Sequence, residues 1–230
     1  MTIGIMQPYF MPYIGYFQLI KAVDKYVVYD DVSYIKGGWV SRNNLLINGE
    51  KNLFTITLKG ASPNKLFNEI EIGDDFKKLM KTLYMNYSKS VNFEETMALM
   101  EKIVSFPNKQ LALFIANSFR EILSYLSIDT EIIISSNIQK DNTLKGKDKV
   151  LHICNILGAD RYYNAIGGQE LYSKKEFKEH NITLSFVETV IQPYCQVHHT
   201  DFIPDLSIID VLMNNSKQNT NLLLNSFILR

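Results

Sequence analysis

The chain has 230 residues, 46% of them hydrophobic and 21% charged, so it can bury a sizeable core, and its composition excludes intrinsic disorder. Its 24 Lys and Arg balance its 24 Asp and Glu, which excludes a broad cationic surface for nucleic acid and leaves room only for a local basic pocket. No window reaches the roughly 20 apolar residues of a membrane span, and the separated Cys154 and Cys195 make neither a disulfide framework nor a zinc site, which fits a reducing cytoplasm.

Thr2 to Met6 is a short apolar run stopped by Pro8, with no basic leader ahead of it, and reads as a buried first strand. Apolar residues at helical spacing from Gly15 to Val23 and a β-branched, aromatic run from Lys25 to Asp30 complete a strand, helix, strand unit, the start of a parallel α/β sheet. Asn44 to Ile47 and Asn52 to Leu58 flank Asn48-Gly49 and predict a β-hairpin. Amphipathic helices follow over Asp74 to Tyr87, Phe93 to Phe106 and Asn108 to Leu126, so residues 74–127 form a candidate helical subdomain. Strand and helix then alternate again: Glu131 to Ser135, Gly146 to Leu157 ended by Gly158, Arg161 to Asn164, Leu171 to Glu179, Thr183 to Val187 and Ser207 to Asn214. The expected fold is one α/β domain over residues 1–230, a Rossmann-like, mostly parallel sheet with a hairpin insertion and the helical block.

Five places group chemistry-bearing residues. The first turn runs from Gln7 and Tyr9 through Tyr13, Gly15 and Tyr16 to a helix N-terminus, where free N–H groups favour an anion. Its Tyr13-x-Gly-Tyr16 spacing matches the His-x-Gly-His turn of adenylyl-transferring Rossmann-like enzymes, but tyrosines are neutral donors and lack the electrostatic effect of two imidazoles. Trp39, Arg42 and Asn43 offer a stacking surface, a bidentate fork and an amide just after Asp30 and Asp31, or else an Arg42 ion pair with one of those acids. Lys145-Gly146-Lys147 precedes a helix and suits phosphate, though without P-loop spacing, and Asn164 with Gly167 and Gly168 lies at a strand end where ligands sit. Gln196, His198 and His199 form a polar run with Asp201, and one of the histidines is a candidate general base. No third ligand appears at a metal-binding spacing, so no metal is expected.

The run Gln7-Pro8-Tyr9-Phe10-Met11-Pro12 with Gly15-Tyr16-Phe17, then Trp39-x-x-Arg42-Asn43, Gly158-Ala159-Asp160, Tyr163-Asn164, Gly167-Gly168 and Phe202-x-Pro204-x-Leu206-Ser207-Ile208-Ile209-Asp210 resembles the WbqC-like family nearly end to end. Members are typically encoded among O-antigen and other lipopolysaccharide or surface-polysaccharide genes, near aminotransferases that make nucleotide-linked amino sugars. The resemblance therefore implies a cytoplasmic transferase that joins an acyl or aminoacyl group, glycyl among the options, to the amine of a nucleotide-linked amino sugar.

Such a reaction needs a base, oxyanion donors and an activated acyl group. The candidate catalytic residues are His198, His199, Asp31, Tyr13 and Tyr16. The candidate substrate-binding residues are Gln7, Tyr9, Gly15, Trp39, Arg42, Asn43, Lys145, Asn164, Gly167, Gly168 and Gln196. The cofactor is left open, with a coenzyme A thioester, an ATP-derived adenylate or an aminoacyl-tRNA as the acyl donor, and a homo-oligomer is left open as well. Two alternatives stand beside this reading: a nucleotidyltransferase with a degenerate turn, and a noncatalytic partner of a sugar-modifying enzyme.

Overall fold

A computed structural model describes residues 1–197 and 201–230. Its centre is a six-stranded sheet in the order β10-β9-β8-β1-β2-β7, with β1 at Thr2–Met6, β2 at Lys25–Val28, β7 at Glu131–Ile134, β8 at Arg161–Ala165, β9 at Thr183–Thr189 and β10 at Phe227–Leu229. The first five in chain order are parallel to one another, and only β10 runs antiparallel, against β9. This is the Rossmann-like α/β architecture that the alternation of periods predicts.

Side chains alternate across the sheet because successive strand residues point to opposite faces. Tyr26, Val28, Ile132 and Ile134 pack on one side with α1 (Ile14–Lys21) and α4 (Leu111–Leu126), whereas Ile3, Ile5, Tyr162, Leu184 and Phe186 pack on the other with α5 (Gly146–Ile156) and α6 (Lys174–Glu179). Gly4 lets α1 approach β1, since a Cβ there would press on the Tyr26 ring at 3.3 Å and on Leu19 at 3.6 Å. The helices α2 (Lys77–Tyr87) and α3 (Phe93–Val104) share the first of these cores with α7 (Ile208–Asn214) and α8 (Lys217–Leu224).

The hairpin forms where Asn48-Gly49 places it, as β3 (Arg42–Ile47) and β4 (Glu50–Thr55), with Ile47 opposite Glu50 and both turn residues at positive φ. Several boundaries differ from the periodicity: α4 starts at Leu111 rather than Asn108, and α6 at Lys174 rather than Leu171. The second hairpin run stops at Thr55, and Leu58–Lys59 (β5) turns away to pair with Glu71–Ile72 (β6). Helix α2 starts at Lys77 rather than Asp74, because the Asp74 carboxylate accepts from the Thr57 and Phe76 N–H groups and holds Phe76 in the left-handed region. Helix α8 and strand β10 lie in an Asn-rich tail with little apolar period; α8 starts where the Ser216 hydroxyl accepts from the Asn219 N–H.

One buried carboxylate ties these parts together. Asp210 on α7 is fully buried and accepts from Tyr87 Oη at 2.9 Å, Tyr194 Oη at 2.6 Å and Gln196 Nε2 at 3.0 Å. Burial pushes its pKa above the usual carboxylate range, although these donors act in the opposite direction. Tyr87 Oη also accepts from the Leu46 N–H at 2.9 Å, so it joins α2, β3 and α7. Tyr87→Phe leaves both a buried N–H and a carboxylate oxygen without their partner, and is expected to destabilise the fold by about 2–4 kcal/mol. Tyr194→Phe removes only one of the carboxylate's donors and is expected to cost about half as much. Urea denaturation of the two variants checks the ranking, and equal losses would show that the Leu46 bond carries no weight.

Candidate functional site

The chain runs outward from β1 to β2 and β7, then returns to β8 on the other side of β1, so the connection reverses between β1 and β8. Open α/β sheets bind ligands in the crevice at the carboxyl ends of the strands flanking such a reversal. Here that crevice is a cavity of about 530 Å3, walled by Tyr9, Tyr13, Tyr16 and Trp39, with Asn43 and Gly167 at its edge. Lys51 and Asp205 supply its charge.

The turn after β1 is held rigidly over this space. Met11 is buried at φ +47°, an unfavourable conformation for a residue with a side chain, and its carbonyl accepts from Asn43 Nδ2 at 2.9 Å and Ser207 Oγ at 2.8 Å. The Phe10 N–H donates to Val40 O and the Pro12 carbonyl accepts from the Ile208 N–H, both at 2.8 Å. The hairpin and the start of α7 therefore fix the loop in one shape, and Pro8 and Pro12 restrict it further.

The tyrosines divide into wall and frame. Tyr16 is buried, donates to the Gln7 carbonyl at 2.6 Å and has its pKa driven far up by burial, so its hydroxyl serves the frame. Tyr9 leans on Tyr16 with ring centroids 5.6 Å apart and makes a long, 3.5 Å contact with Gln7 Oε1. Tyr13 is 36% exposed and is the N-cap of α1, where its carbonyl accepts from the Tyr16 N–H at 3.2 Å and the backbone bridges to Ser207. Trp39 is half exposed, and the Arg42 guanidinium lies 5.7 Å from its ring centroid while donating to the Gly37 carbonyl. Arg42 thus braces the wall and pairs with neither Asp30 nor Asp31.

Several of the other residues expected at a site are engaged inside the protein. The Asn43 amide bridges Met11 and the Asn44 N–H, and Asn164 bridges the Tyr162 hydroxyl and the Ala165 N–H. Gln196 clasps Ile203 at both its N–H and its carbonyl, and also reaches Asp210. Gly15 is packed tightly, and Gly168 lies against Asn164, whereas Gly167 faces open space. His198 and His199 lie outside the described residues. Lys51 and Asp205 were not singled out by the sequence; Lys51 donates to Pro204 O at 3.1 Å and lies 3.8 Å from Asp205 Oδ2. The available signal is the Pro204-Asp205-Leu206-Ser207 turn, in which Asp205 takes φ +57°.

Asp31 and Lys145 sit elsewhere, in a cavity of about 540 Å3 at the ends of β2 and β7. Burial raises the Asp31 pKa, but Lys140, Ser135 and Lys149 together outweigh it and hold the carboxyl below its usual range, so it is a poor base. Lys147 is paired with Glu176 at 2.6 Å. A third cavity, of about 780 Å3, lies at the opposite, amino-terminal edge of the sheet beside Lys21 and Asp24, where Lys21 donates to Asn221 and Asp24 accepts from the Thr2 N–H. That edge serves stability and stands away from the ligand crevice. Among the described residues no three metal-ligating side chains converge, and no helix is long and apolar enough to cross a membrane.

Residues 7–222 match the model of the WbqC-like protein family. The uncharacterized protein Rv1507c of Mycobacterium tuberculosis is 27% identical over 218 residues, which cover 92% of this chain and 93% of that protein. No solved structure matches.

The glycines of the crevice separate packing from binding. A Cβ at Gly15 would fall against the Thr189 hydroxyl and within 2.5 Å of the Tyr13 ring, whereas nothing lies within 4 Å of one at Gly167. Gly15→Ala is expected to destabilise the protein by about 1–3 kcal/mol in thermal unfolding, and Gly167→Ala by less than about 1 kcal/mol. The reverse order would mean that Tyr13 yields and that its position is not fixed by α1.

Proposed function

Since the chain belongs to the WbqC-like protein family, we propose that it is a transferase of surface-polysaccharide synthesis that acylates the amine of a nucleotide-linked amino sugar in the crevice between β1 and β8. The observation that carries this reading is the composition of the crevice: an aromatic wall for a sugar ring or base, with one carboxylate and one ammonium at its rim.

Asp205 is the acid that faces this cavity, and a carboxylate suits a substrate ammonium both as its counter-charge and as the acceptor of its proton. Lys51, 3.8 Å away, stands beside it at the mouth of the cavity. The positive end of the α1 dipole, with no acidic residue in its first turn, suits the diphosphate of the nucleotide. In the transfer, the amine nitrogen loses a proton to Asp205 and attacks the acyl carbonyl. The C–N bond forms, negative charge gathers on the carbonyl oxygen, and as that oxygen re-forms its double bond the bond to the carrier breaks, with its electron pair leaving on the carrier, which takes up the second proton that the nitrogen releases. Tyr13 lines the cavity as the donor for that oxygen. A coenzyme A thioester, an acyl adenylate and an aminoacyl-tRNA all supply the same electrophile, an acyl carbon with a good leaving group.

The test is product formation. The protein is incubated with a panel of nucleotide-linked amino sugars and each donor class in turn, and the acceptor is weighed by mass spectrometry. One pair is expected to give an acceptor heavier by the acyl group. Asp205→Asn is expected to lower kcat/KM by about 100-fold or more while melting as the wild type does. No mass change with any pair, or full activity in the Asp205 variant, would overturn the assignment.

A further inference from the structure

The second cavity, at the ends of β2 and β7, has no part in the chemistry described so far, yet it is built around buried charge. Lys140 and Lys149, with side chains 1% and 6% exposed, approach the same Oδ2 of Asp31 to 2.8 and 2.9 Å, and the Asp31 side chain is itself 10% exposed. Lys149 also donates to the Asp31 carbonyl at 2.8 Å, and Lys140 to the Ser135 carbonyl. The neighbouring Asp30 is held by the Ser136 N–H and hydroxyl at 2.8 and 2.6 Å, so it does not neutralise the lysines directly. Of the charged side chains that line the cavity, Lys145 and Lys149 outnumber Asp31.

Two further features point to a ligand. Asp31 Oδ1 and the Tyr29 hydroxyl are buried without a hydrogen bond of good geometry, and both residues line the cavity. Buried polar atoms of this kind are few in folded proteins, because leaving one unpaired costs stability. Helix α5 also opens on this cavity: its N-cap Lys145 makes no side-chain capping bond, and Gly146, at φ +52°, has open space where a Cβ would stand. The first-turn N–H groups are therefore presented with two ammoniums beside them, a setting for phosphate. A carboxylate oxygen in the same wall accepts from a hydroxyl.

We propose that this cavity is a ribose-phosphate subsite. The phosphate accepts from the start of α5 and from Lys145 and Lys149, and a ribose hydroxyl donates to Asp31 Oδ1. Coenzyme A, an acyl adenylate and the acceptor end of tRNA all carry a ribose phosphate, so the cavity holds the acyl donor; that last identification rests on the transfer reading, whereas the subsite itself does not.

Titration calorimetry with ribose 5-phosphate, inorganic phosphate and ribose tests it without any transfer step. Ribose 5-phosphate is expected to bind wild type roughly tenfold tighter than phosphate, and ribose alone more weakly than either. Lys145→Ala and Lys149→Gln are expected to weaken both phosphate ligands roughly tenfold. Asp31→Asn is expected to erase the advantage of ribose 5-phosphate without weakening phosphate. Lys145 is exposed, so its variant stays informative if Lys149→Gln does not fold. Asp205→Asn is expected to bind ribose 5-phosphate as wild type does, which separates a failed donor subsite from a failed transfer site. Absence of ribose 5-phosphate binding, or equal binding by wild type and Lys145→Ala, would overturn the proposal.

Discussion

The buried carboxylate of Asp210 is the constraint on which the shape of the crevice depends. An ionised group cannot remain in an apolar interior without donors around it, and here the donors come from two separate stretches of chain: Tyr87 on α2, then Tyr194 and Gln196 ahead of α7. Satisfying it places the start of α7, and with it Ser207, whose hydroxyl reaches Met11 and whose N–H donates to Asn44. The left-handed Met11 is then held from two sides, by Ser207 and by Asn43 of the hairpin. An unfavourable backbone conformation survives only when its surroundings over-determine it. The rigid turn after β1 is thus a consequence of charge burial some 200 residues along the chain, as the separation of 196 between Ser207 and Met11 shows.

The two cavities at the carboxyl edge of the sheet differ in physical character. The one between β1 and β8 is aromatic, and its charged pair lies at the rim, where water screens the interaction and the carboxylate stays available. The one at β2 and β7 has its charges inside the wall, where the lysines are locked by ion pairs and backbone carbonyls and cannot turn away. A rim carboxylate suits proton transfer with a substrate that comes and goes. Fixed interior cations suit a phosphate, since they need no reorganisation when the ligand enters. Adjacent strands are about 4.8 Å apart, so two strand spacings set the cavities roughly 10 Å apart along the edge, close enough to serve two parts of one reaction.

Local signals carried much of this in the sequence, and long-range ones carried little. Asn48-Gly49 specifies the hairpin because the turn needs positive φ at both residues, and the alternation of strand and helix periods gives the parallel sheet. The crevice was legible at its aromatic side, since Tyr9, Tyr13 and Trp39 stand next to strand ends in the chain. Its charged side was less so: Lys51 meets Pro204 across a separation of 153 residues, and nothing local marks Lys51. For the same reason the sequence offers Asp31 as a free acid or a partner of Arg42, whereas in the fold it is Lys149, 118 residues on, that packs against it. Tyr16 has the spacing of a turn donor, but its ring fits between Tyr26 and Phe119 in the core, which leaves its hydroxyl facing the backbone of Gln7.

The position of the charge bears on the chemistry. In a His-x-Gly-His turn the cations that steady a phosphate stand at the first loop, directly over the switch point. Here that loop carries Tyr13 and Tyr16, both neutral, and one of them is bound to Gln7. The buried cations are instead two strands away, beside α5, in a chain whose total charge is zero. A protein without a global field can still hold an anion firmly if its few cations are interior, because the low local dielectric strengthens each contact and salt screens it less. On the proposed transfer reading, the first turn contributes an aromatic wall next to a carboxylate and the phosphate contacts lie at the other cavity. The arrangement suits a reaction whose reacting atom is a carbonyl carbon and whose phosphates serve only as handles.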